Sequence, residues 1–596
     1  MKVKDFGALT KAETGLIAHL RAGKPGVYSV SGSVPPENAP KDLHIRASLI
    51  RALVLKQVED CPLPERGLRI EGAYIYGDGP KGGGTSGLDL EGAILDRDLA
   101  LLRCRFPDPI LLRSARLASL FLNGSELTKQ LNADRLEAAG GVFLRNLKAT
   151  GEIRLLGAKL GSDLSCTDAK LNAKGNALSA DRLEAKGGVF LRNLEAAGEI
   201  RLLGARLGGN LSCKDAKLNA TGRALGADRL EVTGSVFLNN LEAAGEIRLP
   251  GAKLGGNLAC DGAKMNATGS ALSAQGADIA GSWFWRDGAQ SRGAIDLTAA
   301  QIGTICDDPT CWPAEVLLHR CRYGAFTGKG VSGRERIDWL SRMKPREHGH
   351  DFWPHPYEEC ARALREAGHG TDAREVLIEK ERLQRKARRR ALRKELQSAR
   401  ALRDRSARSE GFAPNADRVV SAWFRLNIAR IWDWTLGKSV DYGRRPGKAA
   451  LWLACLWLLG AFMFARAAGF GEIKPNLPQI QRAPEWIACS AEQGTTVANT
   501  TPAIAGKARP DETQLDCFLR QPEAAAYPRF NPLIYSADTL LPIVSLEMQS
   551  YWIPDDRKPI GNTARLYLWL HIFAGWGLTL LAVAGFSGLI KTDNTK

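Results

Sequence analysis

Between about Leu68 and Gln301 the apolar residues come as i, i+2 pairs that advance by about five residues. One stretch reads Val189 with Leu191, Leu194 with Ala196, Ile200 with Leu202, Ala205 with Leu207, Leu211 with Cys213 and Ala216 with Leu218. A spacing of two puts both side chains of a pair on one face of a short strand. A turn after every pair keeps that face aimed at a common axis, and four such sides close one coil of a β-solenoid. A longer period is superposed. GEIRL recurs at Gly151, Gly198 and Gly245, and GVFLRNL at Gly141 returns at Gly188, then as SVFLNNL at Ser235 and SWFW at Ser282, with a spacing of 47 residues. Eight sides, two of them lengthened (Asp181 to Gly188 and Asn219 to Ala227), fit one repeat, so each repeat is expected to form two coils. Leu191, Leu202, Leu207, Leu218 and Cys213 are predicted to point inward. Cys166, Cys213 and Cys260 recur at inward positions, and steps of about 10 Å between them forbid disulfides, so they read as a ladder of small buried hydrophobes.

After Trp312 the period of two ends, and from Pro356 the pattern turns helical. The Gly368-His369-Gly370 break, followed by Thr371 and Asp372 as an N-cap, predicts an α-hairpin. From Glu379 to Arg408 thirteen Lys or Arg stand against four Asp or Glu, a net of +9. Arg382, Arg385, Lys386, Arg388, Arg389, Arg390, Arg393 and Lys394 form the densest part of this run. Two later stretches, Ala449 to Ala465 and Leu566 to Ile590, carry no formal charge and are long enough to cross a bilayer. Arg444, Arg445 and Lys448 precede the first and Lys591 follows the second, which by the positive-inside bias places both termini in the cytoplasm. The intervening loop is then extracytoplasmic, and Cys489 and Cys517 within it are expected to form a disulfide. No signal peptide is expected, since Lys11, Glu13, His19 and Arg21 interrupt the N-terminal apolar residues. The chain is thus assigned, as a mixed fold, to an N-terminal helical cap (1–60), a right-handed β-solenoid (61–310), an α-helical basic region (311–446), a first transmembrane helix (447–470), an extracytoplasmic loop (471–564), a second transmembrane helix (565–590) and a cytoplasmic tail (591–596).

Composition sharpens this picture in three ways. Aromatics make up only 7% of the chain against 62 Gly and 28 Pro, as expected where Leu, Ile, Val and Ala ladders replace a bulky core. An apolar content of 44% excludes wholesale disorder, and 12 Cys in 596 residues are too few for a disulfide scaffold. The net charge of +17 favours anionic surfaces. Because half of that excess lies in a helix close to the first span, anionic lipid is its nearest target. No aromatic residue interleaves the Arg run to stack bases, so nucleic acid is not expected as a partner.

Candidate chemistry is sparse. Gly77, Gly79 and Gly82 match G-x-G-x-x-G, but the loop leads into the strand-like Leu88-Asp-Leu90 rather than a helix, so it reads as a loop of the first coils. Cys306, Cys311, His319 and Cys321 are soft ligands at a spacing that fits no common zinc module. His348, His350, His355, His369, Glu358, Glu359 and Cys360 gather at the start of the hairpin and read as solvated loop groups. His571 is the only His in either span, which disfavours a bis-His haem. No cofactor, metal or catalytic residue is assigned. Asn531 to Pro554 precedes the second span as a re-entrant pore helix does, with Ser536, Asp538 and Thr539 expected to start that helix, although LeuProIleValSerLeuGluMet supplies no Gly for a carbonyl-lined filter.

The pentads with Ala two places before Leu, as in Ala205-Arg-Leu207 and Ala216-Lys-Leu218, resemble the pentapeptide-repeat proteins. Pro356-Tyr-Glu-Glu, Ala373-Arg-Glu-Val-Leu-Ile, Tyr442-Gly-Arg-Arg-Pro446 and Tyr535 to Val544 extend the likeness over most of the chain. The whole arrangement resembles bacterial membrane proteins commonly labelled membrane-associated oxidoreductases. That resemblance implies a solenoid at the bacterial inner membrane and, by its label, redox activity. Some pentapeptide-repeat proteins are acidic DNA mimics, whereas Gly188 to Gly234 holds seven bases and five acids. The residues themselves favour a scaffold that presents a rigid cytoplasmic rod to an unidentified protein partner. A two-span pore-loop channel and an oxidoreductase are the alternatives, and homo-oligomerisation stays open.

Overall fold

Short strands stack coil upon coil from Leu68 to Gly328, all in parallel. The coils are joined by backbone bonds such as Leu164 N–H to the Gly188 carbonyl (3.0 Å) and Val189 N–H to that of Asn210 (2.8 Å). The computed structural model describes residues 1–24, 26–78, 87–410, 416–445, 447–490, 509 and 512–587. Two of the four faces of the solenoid are 11-stranded parallel sheets. The other two join into one 20-stranded sheet, because Asp278–Trp285 is long enough to pair with strands of both faces. Leu191, Leu202, Leu207, Leu218 and Cys213 all point inward and are buried, as are Cys166 and Cys260.

Val142 lies opposite Leu164 and Leu164 opposite Val189, so coils of 22 and 25 residues alternate and each 47-residue repeat makes two. The three extra residues fall at one corner only. Leu218 pairs 22 residues back with Ala196, whereas Leu225 pairs 25 residues back with Ile200. The side Asn219 to Ala227 is therefore lengthened as expected, but Asp181 to Gly188 is not, since the offset is 25 residues at both Glu184 and Val189. A register shift at the longer corner, between Arg223 and Leu225, absorbs the insertion.

The solenoid also extends beyond residue 310. Val316–Leu317 and Arg322–Gly328 add a further coil on Ala294–Asp296 and Gln301–Asp307. Val316 with Leu318 and Cys321 with Tyr323 keep the inward spacing of two, but the 3-10 turn Pro309–Cys311 interrupts the pattern ahead of them. The N-terminal 60 residues are not purely helical. Besides α1 (Lys11–Arg21) and α2 (Ala47–Val54), the strands Tyr28–Ser29 and His44–Arg46 pair in parallel with the first coils. α1 starts at a capping box: Thr10 accepts from Glu13 N–H, and the buried Glu13 carboxylate accepts from Thr10 N–H (3.0 Å) and pairs with Arg46 (2.8 Å).

At the other end α3 (Gly333–Ser341) and α4 (His355–Glu366) follow the last coil, and α5 runs from Gly370 to Glu410. Arg336 of α3 makes a two-pronged pair with Asp307 at 2.9 and 2.7 Å, both side chains fully buried. Trp312 Nε1 donates to the same carboxylate (2.8 Å), and the guanidinium lies 3.8 Å from the Phe326 ring centroid. Two compact units divide the chain, Met1–Lys380 and Glu381–Lys596.

In the second unit α6 (Ala416–Ser439) packs on the later part of α5 through Leu396, Ala422 and Leu426. α7 (Gly447–Gly469) and α13 (Pro559–Phe586) are long and apolar enough to cross a membrane. Between them lie α8 (Pro478–Gln481), α9 (Pro484–Ser490), α10 (Gln514–Leu519), α11 (Pro532–Leu540) and α12 (Met548–Tyr551). Ile473–Pro475 pairs with Trp552–Pro554 in antiparallel fashion, and Lys474 bonds Asp555 (2.9 Å). Phe464, Trp486, Phe518, Tyr535 and Trp552 give this region its own core.

Candidate functional site

One face of the solenoid combines concavity, length and ordered charge. Arg116, Glu137, Lys159, Glu184, Arg206, Glu231, Lys253 and Asp278 stand in direct register on successive coils, so that the sign alternates at every step. Like charges stacked at the strand spacing of about 4.8 Å would repel, and alternation removes that repulsion. Neighbours pair along the row, Arg116 with Glu137 at 2.8 Å, Arg206 with Glu231 at 3.3 Å and Lys253 with Glu231 at 3.4 Å. Beside the row run small residues. A Cβ on Gly161 would lie 1.9 Å from the Ala139 carbonyl oxygen and one on Gly208 2.2 Å from that of Lys186, so coil stacking itself demands glycine there. The charged row and the small residues bound a groove of about 1410 Å³ floored by Leu117, Leu160, Leu207 and Leu254.

The soft ligands singled out near residue 310 do not converge. Cys321 and Cys306 are buried, Cys311 is partly exposed, and His319 packs its ring against Trp353 (5.3 Å) and His350 (6.1 Å). Burial, then the neighbouring Arg320 and His350, hold the His319 pKa below its ordinary value. In the second group His348 bonds Glu315 (3.1 Å), and Glu359 accepts from Tyr323 N–H (3.0 Å) and from Arg362 (2.7 Å). Burial alone would raise the Glu359 pKa, but those donors outweigh it and the carboxyl sits below its usual range. Among the described residues no three His, Cys, Asp or Glu side chains are grouped as a metal site. The glycine loop at Gly79 and Gly82 lies outside the described residues, as does the tail from Lys591.

The three residues expected to start a pore helix sit instead in the second half of α11. That helix begins at Asn531, whose side chain accepts from the N–H groups of Leu533 (3.0 Å) and Ile534 (3.2 Å), with Pro532 in the first turn. Each of the three has another task. Ser536 Oγ donates to the Trp457 carbonyl of α7 (2.8 Å), and His571 Nε2 of α13 lies 3.3 Å from the same oxygen. Thr539 bonds back to the Tyr535 carbonyl (2.8 Å), and the Asp538 carboxylate accepts from Leu546 N–H (2.6 Å) and Gln549 N–H (2.7 Å), fixing the turn that follows. α11 is thereby tied to both apolar helices. Gly460 leaves the necessary room, since a Cβ there would lie 2.3 Å from Ser536 Oγ and 2.7 Å from the His571 ring. His571, Tyr567 (3.2 Å from Nδ1) and Ser536 form a buried polar group that sequence reasoning did not assemble. The available signal was an ionisable side chain inside an apolar stretch.

On the basic helix the predicted residues divide. Arg382, Lys386, Arg388, Arg393 and Lys394 are exposed and Arg390 is partly so, whereas Arg385 (3.2 Å) and Arg389 (2.5 Å) turn toward the buried Asp433 of α6. Cys489 of α9 and Cys517 of α10 are joined by a disulfide with Cα atoms 5.7 Å apart. No family model, no curated protein and no solved structure matches the chain.

Proposed function

We propose that the protein is a membrane-anchored scaffold whose solenoid receives a partner protein along the charged groove, with both termini on the cytoplasmic side. The observation that carries this reading is the groove, which keeps one chemistry over successive coils from Arg116 to Asp278 while α7 and α13 supply the anchor. A partner suited to it repeats its own charges at the coil spacing. Resistance of the chain to carbonate extraction tests the anchor. A photo-crosslinker at Lys186, exposed in the groove, tests the docking face against one at Arg192 on a different face. A discrete adduct from Lys186 alone is expected; equal adducts from both positions, or none, refute the reading.

One observation favours a second reading, a two-span pore-loop channel. α11 is held between α7 and α13 through Ser536, and the group with His571 is buried there. Current through a planar bilayer containing the purified chain tests it.

A further inference from the structure

α6 buries one face and exposes another of unusual composition. Ala422, Leu426, Asp433 and Leu436 are buried, while Val420, Phe424, Ile428, Ile431 and Trp434 are exposed, with Trp423 and Trp432 at its margins. At 100° per residue the exposed set forms one broad apolar face, with Arg430 and Arg425 flanking it on opposite sides. Several large aromatics left open to water at about half to two-thirds exposure are not the surface of a helix that ends in solvent (Trp423 49%, Trp434 66%). α6 is followed within a few residues by α7, and Trp452 Nε1 of α7 donates to the Lys438 carbonyl of α6 (3.1 Å), so this face lies next to an apolar helix that can cross a bilayer.

A second feature lies on the flank of α6. A cavity of about 270 Å³ opens between α5 and α6, lined by Arg393, Arg400, Arg430, Asn427, Trp423 and Leu426. Three guanidinium groups and an amide surround it, and among the described residues no carboxylate lines it. The nearby acid Glu395 is paired with Arg425 (2.6 Å) on the other flank of α6. Arginines that converge without an acid match a phosphate group, and the Trp423 ring at the edge continues into the apolar face on which acyl chains would lie.

We infer that α6 lies in the plane of the membrane interface and that Arg393, Arg400 and Arg430 hold the phosphate of an anionic phospholipid between α5 and α6. This rests on the membrane-anchored reading and names its lipid contact. The exposed apolar face supplies the insertion, and the arginines on its flank remain at headgroup level. Arg385 and Arg389, spent on Asp433, are not part of the site.

The test uses the full chain. Benzoylphenylalanine in place of Ile431, on the face turned away from α5, should crosslink to lipid in native membranes; an adduct with a second copy or another protein overturns the placement of α6. Native mass spectrometry in detergent with dioleoyl-phosphatidylglycerol should show retained lipid, and the pair Arg393→Gln and Arg400→Gln should reduce retention by about tenfold or more, given the attraction of each basic residue to an anionic headgroup. Arg382→Gln with Arg388→Gln, which removes equal charge from outside the cavity, should reduce it far less. Equal loss from both pairs, or displacement of lipid by millimolar inorganic phosphate, overturns the site. Release of the chain from membranes by carbonate defeats the anchored reading itself, whereas a carbonate-resistant chain with an unaltered lipid count in the Arg393 and Arg400 variant defeats only this inference.

Discussion

Leu202 shows what a single inward position carries. It is fully buried between coils, and the next coil repeats the same chemistry at Leu249, so there is no solvent for a charge to reach. Leu202→Lys is expected to cost several kcal/mol, read as loss of the cooperative thermal transition by circular dichroism. The buried cysteines give a second residue-scale expectation. Burial pushes the thiols of Cys104, Cys166 and Cys213 up to about 12, against an ordinary value near 9. In the native chain an aromatic disulfide reagent should therefore label the partly exposed Cys311 quickly and leave those three unlabelled. The same shift sets a pH dependence. A thiol whose folded pKa is raised contributes its full stability below the unfolded value of about 9 and loses it as pH climbs toward 12. Urea midpoints should be level from pH 7 to 8.5 and fall at pH 10.5.

Among the elements, the end of the solenoid depends on one ion pair. Arg336 and Asp307 are both buried, so Arg336→Ala leaves an unpaired carboxylate in an apolar setting and is expected to lower stability by about 3–5 kcal/mol. Adding Asp307→Asn should restore part of the loss in denaturant melts, because the uncompensated charge is then gone. Elements differ in how openly the sequence announces them, for physical reasons visible here. The coils were legible because their inward spacing of two is contained within a few consecutive residues, as at Ala205 and Leu207. The final coil was missed although Val316, Leu318, Cys321 and Tyr323 keep that spacing, since a 3-10 turn shifts the phase before it. α6 went unread because apolar residues lie on both its faces, which blurs the amphipathic period. The group of Ser536 with His571 and the pair of Asp307 with Arg336 join residues far apart in the chain, and no local pattern encodes such contacts.

For the molecule as a whole, orientation is the open consequence of two apolar helices. With both termini cytoplasmic, the region between α7 and α13 faces an oxidising compartment, where the disulfide of Cys489 and Cys517 is chemically at home. In intact cells a membrane-impermeant maleimide should not label Cys311 and should label it after the membrane is opened. Labelling of Cys311 in unbroken cells would invert the topology. The alternation of 22- and 25-residue coils bears on a different property, the tolerance of the rod to changes in its length. A unit of 47 residues returns the chain to the same corner, the same face and the same sign in the charged row, because Glu184 and Glu231 occupy equivalent places. Excising Gly188 to Gly234 as a block therefore leaves no seam: residue 187 meets Ser235 where it met Gly188, and the shortened protein should melt cooperatively with a rod about 10 Å shorter in small-angle scattering. A cut of any other size in this stretch would turn inward-facing leucines out and should abolish folding. Duplication or loss of that unit is thus a route by which the reach of the scaffold can be reset without redesigning a single contact.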